Sequence, residues 1–110
     1  MTEAGDRLLA VFTTISTRED ARRIAQALVE RGLVACAQLS DIESVYRWDG
    51  TTQQEPEVRL MLKTTAARYE AVEAALRALH PYELPAIFAM PVTAASADYA
   101  AWVNLNSKLE

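Results

Sequence analysis

Residues 42–50 read IESVYRWDG and residues 57–64 read EVRLMLKT, and these two segments decide the fold. In each segment apolar side chains alternate with polar ones, which is the period of a half-buried β-strand. The Asp-Gly pair that closes the first segment favours a tight turn. Thr51 to Glu55 is then expected to be a polar loop. Together the segments predict an antiparallel hairpin whose outer part extends beyond the helices.

A further apolar run precedes this hairpin and is predicted to be continuous with its first strand. Leu33 to Leu39 reads LVACAQL, and Ser40-Asp41 separates it from the alternating segment. One long, bent strand with a bulge at Ser40-Asp41 is the simplest interpretation. Cys36 lies within the apolar run and is expected to be an inert, buried core side chain.

The first part of the chain predicts a strand followed by a helix. Leu8 to Ile15 is a continuous apolar and β-branched run, typical of a strand buried on both faces at the centre of a sheet. Ser16 and Thr17 are candidate caps of the helix that follows, and Gly32 supplies its C-terminal stop. The buried stripe of this helix is predicted to comprise Ala21, Ile24, Ala25 and Leu28.

A second helix is expected after the hairpin, with Thr64 and Thr65 as its caps and Pro81 at its end. The segment that follows, His80 to Pro85, reads HPYELP; it has the composition of a hinge and contains the only histidine of the sequence. The buried stripe of the second helix is predicted to comprise Tyr69, Val72, Leu76 and Leu79.

The last part of the chain predicts a fourth strand and a third helix. Ala86 to Thr93 is the predicted strand, and the internal Pro91 places it at a sheet edge or marks a strand end. Ser96 is the expected cap of the helix. The buried face of this helix is predicted to carry Tyr99, Trp102 and Val103.

The resulting order is βαββαβ plus a C-terminal helix, in a single domain spanning residues 1–110. This is the α+β, ferredoxin-like arrangement, in which two helices cover one face of a four-stranded antiparallel sheet and a long hairpin joins the second and third strands. The other face would be left bare, with Tyr46, Trp48 and Met61 among its apolar side chains. Oligomerisation through this face and the hairpin is therefore predicted.

Charge and composition narrow the classes of function. The 11 Lys and Arg residues against 15 Asp and Glu residues give a net charge of −4, which repels phosphate backbones and anionic lipids. Nucleic acid and membranes are therefore not expected as partners. A single cysteine and the lack of a leader pattern favour a cytoplasmic location, and no apolar run reaches the ~18 residues of a membrane span.

Fold class alone does not assign an activity, so each chemistry needs its own residues. A copper-chaperone site needs paired cysteines after the first strand, where residues 13–18 have none. An RNA-recognition module needs basic and aromatic side chains on its central strands, and residues 8–15 offer only Phe12. An acylphosphatase-like enzyme would need an asparagine near Arg18, but both asparagines lie in the last helix. The remaining interpretation is a binding module that is not an enzyme.

Five motifs resemble those of the CutA divalent-cation tolerance family, in family order and over nearly the whole chain, from about Leu8 to Leu105. The family is also similar to PII-type signalling proteins in fold and trimeric assembly. The motifs are ACAQL at 35–39, YRWDG at 46–50, EVRLMLKTT at 57–65, HPYELP at 80–85 and DYAAWVN at 98–104.

This resemblance implies a homotrimer assembled through the long hairpins and a role in tolerance of copper and other divalent metal ions. His80 is the metal-ligand position that the resemblance carries over, for Cu(II) or another divalent cation. The other two ligand positions of metal-binding members, a cysteine in the first strand and a histidine beside His80, read Thr13 and Leu79 in this chain.

The resemblance also implies a cleft between subunits that binds a small ligand. Three simpler roles remain open. Tyr46 and Trp48 of the hairpin could pack in an interface. Lys63 could pair with Glu57 or Glu83, and His80 could complete the C-terminal end of its helix. A PII-like signalling module, or a trimeric scaffold that docks partner proteins without a metal, is the alternative function. The residues expected to line the cleft are Lys63, Tyr82, Glu83, Tyr46 and Trp48.

Overall fold

The structure is a computed structural model that describes residues 4–108. Its strands form one antiparallel sheet, and the elements follow the predicted order βαββαβ with a C-terminal helix, which confirms the α+β, ferredoxin-like fold. No helix in this range is long and apolar enough to cross a membrane. The strands are β1 (Leu8–Ile15), β2 (Cys36–Trp48), β3 (Thr51–Thr65) and β4 (Phe88–Pro91), in the sheet order β2-β3-β1-β4, and the helices are α1 (Arg18–Glu30), α2 (Tyr69–Leu79) and α3 (Ala97–Asn106).

Strands β2 and β3 form a longer and more regular hairpin than the sequence predicts. They pair without interruption from Cys36 opposite Lys63 to Trp48 opposite Thr51. The bulge predicted at Ser40-Asp41 is therefore wrong, and so is the polar loop predicted at 51–55. The reason is the turn: Asp49 and Gly50 have φ values of 53° and 76°, a two-residue turn of the I′ type that joins the strands in tight register.

The outer part of this hairpin projects from the sheet, as predicted. The last pair between β1 and β3 is Ile15 with Val58, so beyond it β3 has a neighbour only on the β2 side. We call residues 42–57 the hairpin arm. Pro56 lies within the arm opposite Glu43, and it is accommodated because the side of β3 away from β2 is a free edge there. The arm contributes to the long axis of the protomer, 49 Å against 25 Å and 21 Å.

The main core lies between the sheet and helices α1 and α2, as the apolar stripes predict. Thr17 caps α1 by accepting a hydrogen bond from the Asp20 amide at 3.2 Å. The predicted α1 stripe is buried, and Val72 and Leu76 of α2 are fully enclosed beside it. Side chains of the sheet that complete this core are Val11 and Ile15 of β1 and Val58, Leu60 and Leu62 of β3.

The start of the second helix differs from the prediction. Thr65 precedes a single 3₁₀ turn, Ala66–Arg68, and its side chain makes no capping hydrogen bond. The Thr64 hydroxyl instead donates to the Leu33 carbonyl at 2.7 Å, inside the core. The prediction that these threonines cap the helix is therefore wrong, because their hydroxyls are placed by the end of the strand before the helix begins. Ser96, in contrast, caps α3 as predicted, through the Tyr99 amide.

Helix α3 lies against the second face of the sheet, which is therefore only partly bare. Its Val103 is buried with Leu8 and Ala35 in a small separate cluster. The prediction that Tyr99 and Trp102 are buried is wrong within one protomer, since they are 37% and 45% exposed and stack on each other at 5.9 Å. Cys36 is half-buried and not a core residue, with its sulfur 3.8 Å from the Tyr99 hydroxyl.

The rest of the second face carries exposed apolar side chains. Phe12 stacks on Phe88 at 5.2 Å, and the Arg59 guanidinium lies 5.9 Å from the centre of the Phe12 ring. Phe88 and Met90 belong to β4, an edge strand that is shorter than the predicted 86–93 and ends at Pro91. This face and the hairpin arm therefore expose large apolar side chains, among them Phe88, Met90 and Trp48, that nothing in the protomer covers.

Candidate functional site

A cleft of about 760 Å³ lies where the hairpin arm leaves the sheet, beside the end of β1 and the hinge that follows α2. We call it the acidic cleft. Aromatic, acidic, hydroxyl and aliphatic side chains all contribute to its wall. The lining residues are Tyr46, Trp48 and Tyr82; Glu43, Glu55, Glu57 and Glu83; Thr14, Ser16 and Ser44; and Val45, Leu84 and Ala86.

Four of the five predicted ligand residues line this one cleft: Tyr46, Trp48, Tyr82 and Glu83. They come from two regions of the chain more than 30 residues apart, the arm and the hinge. The fold brings these regions together because β3 returns the chain from the arm to α2, and the end of α2 directs the hinge back towards the arm.

His80 fixes the start of the hinge through both of its ring nitrogens. Its Nδ1 accepts a hydrogen bond from the Tyr82 amide at 3.1 Å, so the proton of the neutral ring is on Nε2. Nε2 lies 3.0 Å from the Thr14 carbonyl and 3.1 Å from the Thr13 hydroxyl. Burial lowers the pKa of His80 below its ordinary value, although the Thr14 carbonyl and the charges of Glu57 and Asp20 oppose the shift. The native imidazole is therefore neutral at pH 7.

The metal role predicted for His80 would require one of these hydrogen bonds to break. Thr13, at the position of the family cysteine, is itself a partner of the ring, and Leu79 packs against the main core. Within residues 4–108 no three His, Cys, Asp or Glu side chains form a group that could hold a metal ion. Metal coordination by His80 stays a prediction.

Tyr82 carries the hinge into the acidic cleft. Its ring lies 4.8 Å from the His80 ring, and its hydroxyl donates to Glu57 Oε2 at 2.6 Å. Burial and this hydrogen bond raise the pKa of Tyr82 far above its ordinary value, so the phenol remains protonated and is a donor. A continuous series of contacts therefore connects β1, His80, Tyr82 and Glu57.

A second tyrosine and carboxylate pair lies further out on the arm. The Tyr46 hydroxyl donates to Glu55, and this hydrogen bond is the main cause of the raised pKa of Tyr46. Glu55 and Glu57 are two residues apart on β3, so their side chains leave the same face of the strand. Trp48 follows Tyr46 on the same face of β2, near the turn.

Glu57 is the most deeply placed acidic residue of the cleft, since it is only 8% exposed. None of the thirteen residues that line the cleft is a lysine, arginine or histidine. Among the described residues no cationic side chain forms an ion pair with Glu57. The cleft therefore concentrates negative charge that the protomer does not neutralise.

Sequence reasoning missed Glu43 and Glu55 and treated Glu57 only as a partner of Lys63. The signal that identifies Glu55 and Glu57 is their spacing of two along β3, which becomes informative once residues 51–55 are assigned to the strand. Glu43 also lines the cleft, although the register pairs it with Pro56 and so places it on the other face of the arm from Glu55 and Glu57.

Lys63 lies outside the acidic cleft. Its Nζ is 3.4 Å from the Gln38 side chain, and neither Glu57 nor Glu83 is its partner. Six residues of extended strand separate Lys63 from Glu57, a distance of about 20 Å. Arg18, named above for an acylphosphatase-like site, is paired with Asp41.

The family model described as CutA1 divalent ion tolerance protein matches residues 9–106 of the chain. The chain is 37% identical over 98 residues to the divalent-cation tolerance protein CutA of Thermus thermophilus, covering 88% of this chain and 95% of that protein. The structure resembles that of CutA from Synechococcus elongatus, with a TM-score of 0.91, 35% identity and coverage of 98% and 95% of the two chains. It also resembles CutA1 of the psychrotrophic bacterium Shewanella sp. SIB1, with a TM-score of 0.89, 38% identity and coverage of 93% and 96%.

Proposed function

The chain belongs to the CutA1 divalent ion tolerance protein family, and from this premise we propose that it acts in divalent-cation tolerance by binding a cation at a cleft between subunits, where a neighbouring copy completes the site that the acidic cleft of one protomer does not form alone. The binding species is a homotrimer, and Cu(II) is the first metal ion to consider. The protein is a binding protein and not an enzyme, and it works in the cytoplasm. Microscopy of a tagged copy in cells tests the cytoplasmic location.

The observation that carries this proposal is the buried carboxylate of Glu57. Glu57 is only 8% exposed, and a carboxylate with so little access to water is stabilised by a nearby positive charge. One hydrogen bond, from Tyr82, reaches it. Three further carboxylates in the same cleft increase the attraction for a cation.

Trimer formation is proposed from the surfaces that one protomer leaves uncovered. Phe88 and Met90 are 50% and 55% exposed on the second face of the sheet, and Trp48 is 48% exposed on the arm. Association of three copies would cover such side chains and the free edge of the arm. In such an assembly, Lys63 of one copy could approach the acidic cleft of another copy. Light scattering at micromolar protein tests the assembly, and a monomer would overturn it.

Calorimetric titration with Cu(II) tests the cation site. We expect stoichiometric binding that Glu57→Gln weakens about tenfold, because the variant removes the buried charge and keeps the shape. Glu70→Gln, on the exposed side of α2, is the matched control and should leave binding unchanged. Loss of binding in His80→Ala with retention in Glu57→Gln would move the metal to the hinge. The absence of a binding signal with every divalent cation would favour a scaffold that docks partner proteins.

The cellular role is tested in a bacterial strain that lacks its own CutA protein. Expression of the wild-type chain should increase growth in elevated Cu(II), and Glu57→Gln should restore less of that growth. Equal growth with and without the wild-type chain, at matched expression, would remove the tolerance role.

A further inference from the structure

We infer that His80 is a positioning residue, whose ring holds the hinge against the end of β1, and that it is not a metal ligand in this chain. This role goes beyond the proposed function, which places the cation at a cleft between subunits and does not depend on His80. It concerns the one position to which the family resemblance carries over a metal ligand.

The first observation is the carbonyl group that the His80 ring reaches. The Leu8 carbonyl accepts from the Val92 amide at 3.0 Å, so it is directed to the β4 side of β1. Carbonyl direction alternates along an antiparallel strand, and the Thr14 carbonyl is therefore directed to the same side. β4 begins opposite Phe12, so no residue of β4 lies opposite Thr14. His80 Nε2, at 3.0 Å, supplies the donor that a longer β4 would have supplied.

The second observation is the acceptor role of the other ring nitrogen. His80 Nδ1 accepts a hydrogen bond from the Tyr82 amide at 3.1 Å, across Pro81, which has no amide hydrogen of its own. One nitrogen of the ring thus closes the hinge into a turn, and the other fixes that turn to β1. The direction that the hinge takes from this turn brings the Tyr82 hydroxyl to Glu57 Oε2, at 2.6 Å.

These two hydrogen bonds conflict with metal coordination, because a metal ion needs a ring nitrogen whose lone pair is free. The lone pair of Nδ1 is directed at the Tyr82 amide, and Nε2 carries the proton that the Thr14 carbonyl accepts. Moving the proton to Nδ1 would free Nε2 but would bring two donors together at the Tyr82 amide. Neither tautomer of His80 therefore binds a metal ion while the hinge keeps its conformation.

The residues at the two other ligand positions of the family agree with this role. Thr13, whose hydroxyl lies 3.1 Å from His80 Nε2, offers a neutral oxygen where metal-binding members have a thiolate. Leu79 has no ligand atom and packs against the main core. The residues present at the hinge do not fit a divalent metal ion, whereas their hydrogen bonds fit a fixed hinge.

The test of the metal role is NMR spectroscopy of the His80 ring in the isotope-labelled full chain, without a histidine tag, titrated with Zn(II). His80 is the only histidine of the sequence, so the imidazole signals have one source. Zn(II) binds imidazole nitrogen and has no unpaired electron that would broaden the signals. We expect the tautomer with the proton on Nε2, and ring signals that do not change in an excess of Zn(II). Loss of the Nε2 proton, or movement of a ring nitrogen signal at stoichiometric Zn(II), would overturn the inference. This measurement needs no variant to fold.

Hydrogen exchange of the Tyr82 amide tests the positioning role. His80→Asn keeps a side-chain acceptor for the amide two residues later, whereas His80→Leu has none. We expect this amide to exchange at least about tenfold faster in His80→Leu than in the wild-type chain, and close to the wild-type rate in His80→Asn.

The amide of residue 80, which donates to the Leu76 carbonyl at 2.8 Å, is the internal control, because a general loss of stability would accelerate the exchange of both amides. Equal acceleration of both amides in His80→Leu, or no acceleration at Tyr82, would overturn the positioning role. Cu(II) calorimetry and the growth assay are read separately, so the proposed function can stand when this inference fails.

Discussion

The Tyr82 hydroxyl donates a 2.6 Å hydrogen bond to Glu57, and this contact joins the hinge after α2 to the hairpin arm. The two residues are 25 positions apart in the chain, and both line the acidic cleft. One side-chain hydrogen bond therefore connects two separate elements at the wall of the cleft.

Tyr82→Phe should destabilise the protein by about 1–2 kcal/mol, because it leaves the buried Glu57 carboxylate without its donor. Urea unfolding measures the change. Tyr69→Phe is the control, since the Tyr69 hydroxyl bonds Glu73 within α2 at 3.0 Å and joins no separate elements. Equal decreases in the free energy of unfolding for the two variants would show that the hydrogen bond between Tyr82 and Glu57 stabilises the protein no more than one within a helix.

Stability should decrease as the pH falls below about 6.5, the ordinary pKa of histidine. Burial lowers the pKa of native His80, so on acidification the unfolded chain binds the proton first. The stabilisation is complete above the unfolded pKa and is lost between that value and the lower folded pKa. Urea midpoints at pH 7.5 and 5.5 measure the loss, which should be smaller in His80→Gln. The same loss in both proteins would assign the effect to other groups.

Gly50→Ala should destabilise the hairpin by about 1 kcal/mol, although no atom lies within 4 Å of the added methyl group. The cause is backbone conformation, since residue 50 has a φ of 76°. Thermal unfolding measures the change, and Asp49→Gly is the control because glycine accepts the φ of 53° at that position. A neutral Gly50→Ala variant would mean that the turn relaxes to another type.

Thr17→Val should cost about 0.5–2 kcal/mol, because valine cannot accept the hydrogen bond from the Asp20 amide that caps α1. Thr65→Val removes the same hydroxyl from a residue that makes no capping bond and should cost less. Chemical unfolding of the pair measures the difference. A larger decrease in the free energy of unfolding for Thr65→Val would instead support the sequence prediction that a threonine caps the second helix.

The parts of the fold that the sequence predicts well are those where periodicity and burial coincide. The bounds of β1 and the stripe of α1 were predictable because most of their apolar side chains face a core made by the chain itself. Residues 51–55 gave no such signal, since both faces of the arm meet water there and TTQQE carries no alternation. Their strand conformation follows from the turn, which pairs them with β2.

The candidate site was predictable for a different reason. Tyr46, Trp48, Tyr82 and Glu83 come from motifs that resemble a known family, and the fold brings them to one cleft. Lys63 belongs to the same motif set, but the pitch of β3 carries it about 20 Å away. The exposure of Tyr99 and Trp102 was unpredictable because an apolar helix face gives the same pattern whether its cover is in the chain or outside it.

Pro56 gives the free edge of the arm a property that its other residues lack. The Ala66 amide donates to the carbonyl of Arg7, which precedes β1, so it is directed away from β2. The direction of the amide alternates along an antiparallel strand. The even-numbered residues of β3 therefore also direct their amides away from β2. At residue 56, proline removes the donor nearest to the end of β1. An approaching strand can therefore pair with Thr52 and Gln54 but cannot continue in register towards β1. The interruption permits contact with the arm while opposing open-ended growth of the sheet into fibrils.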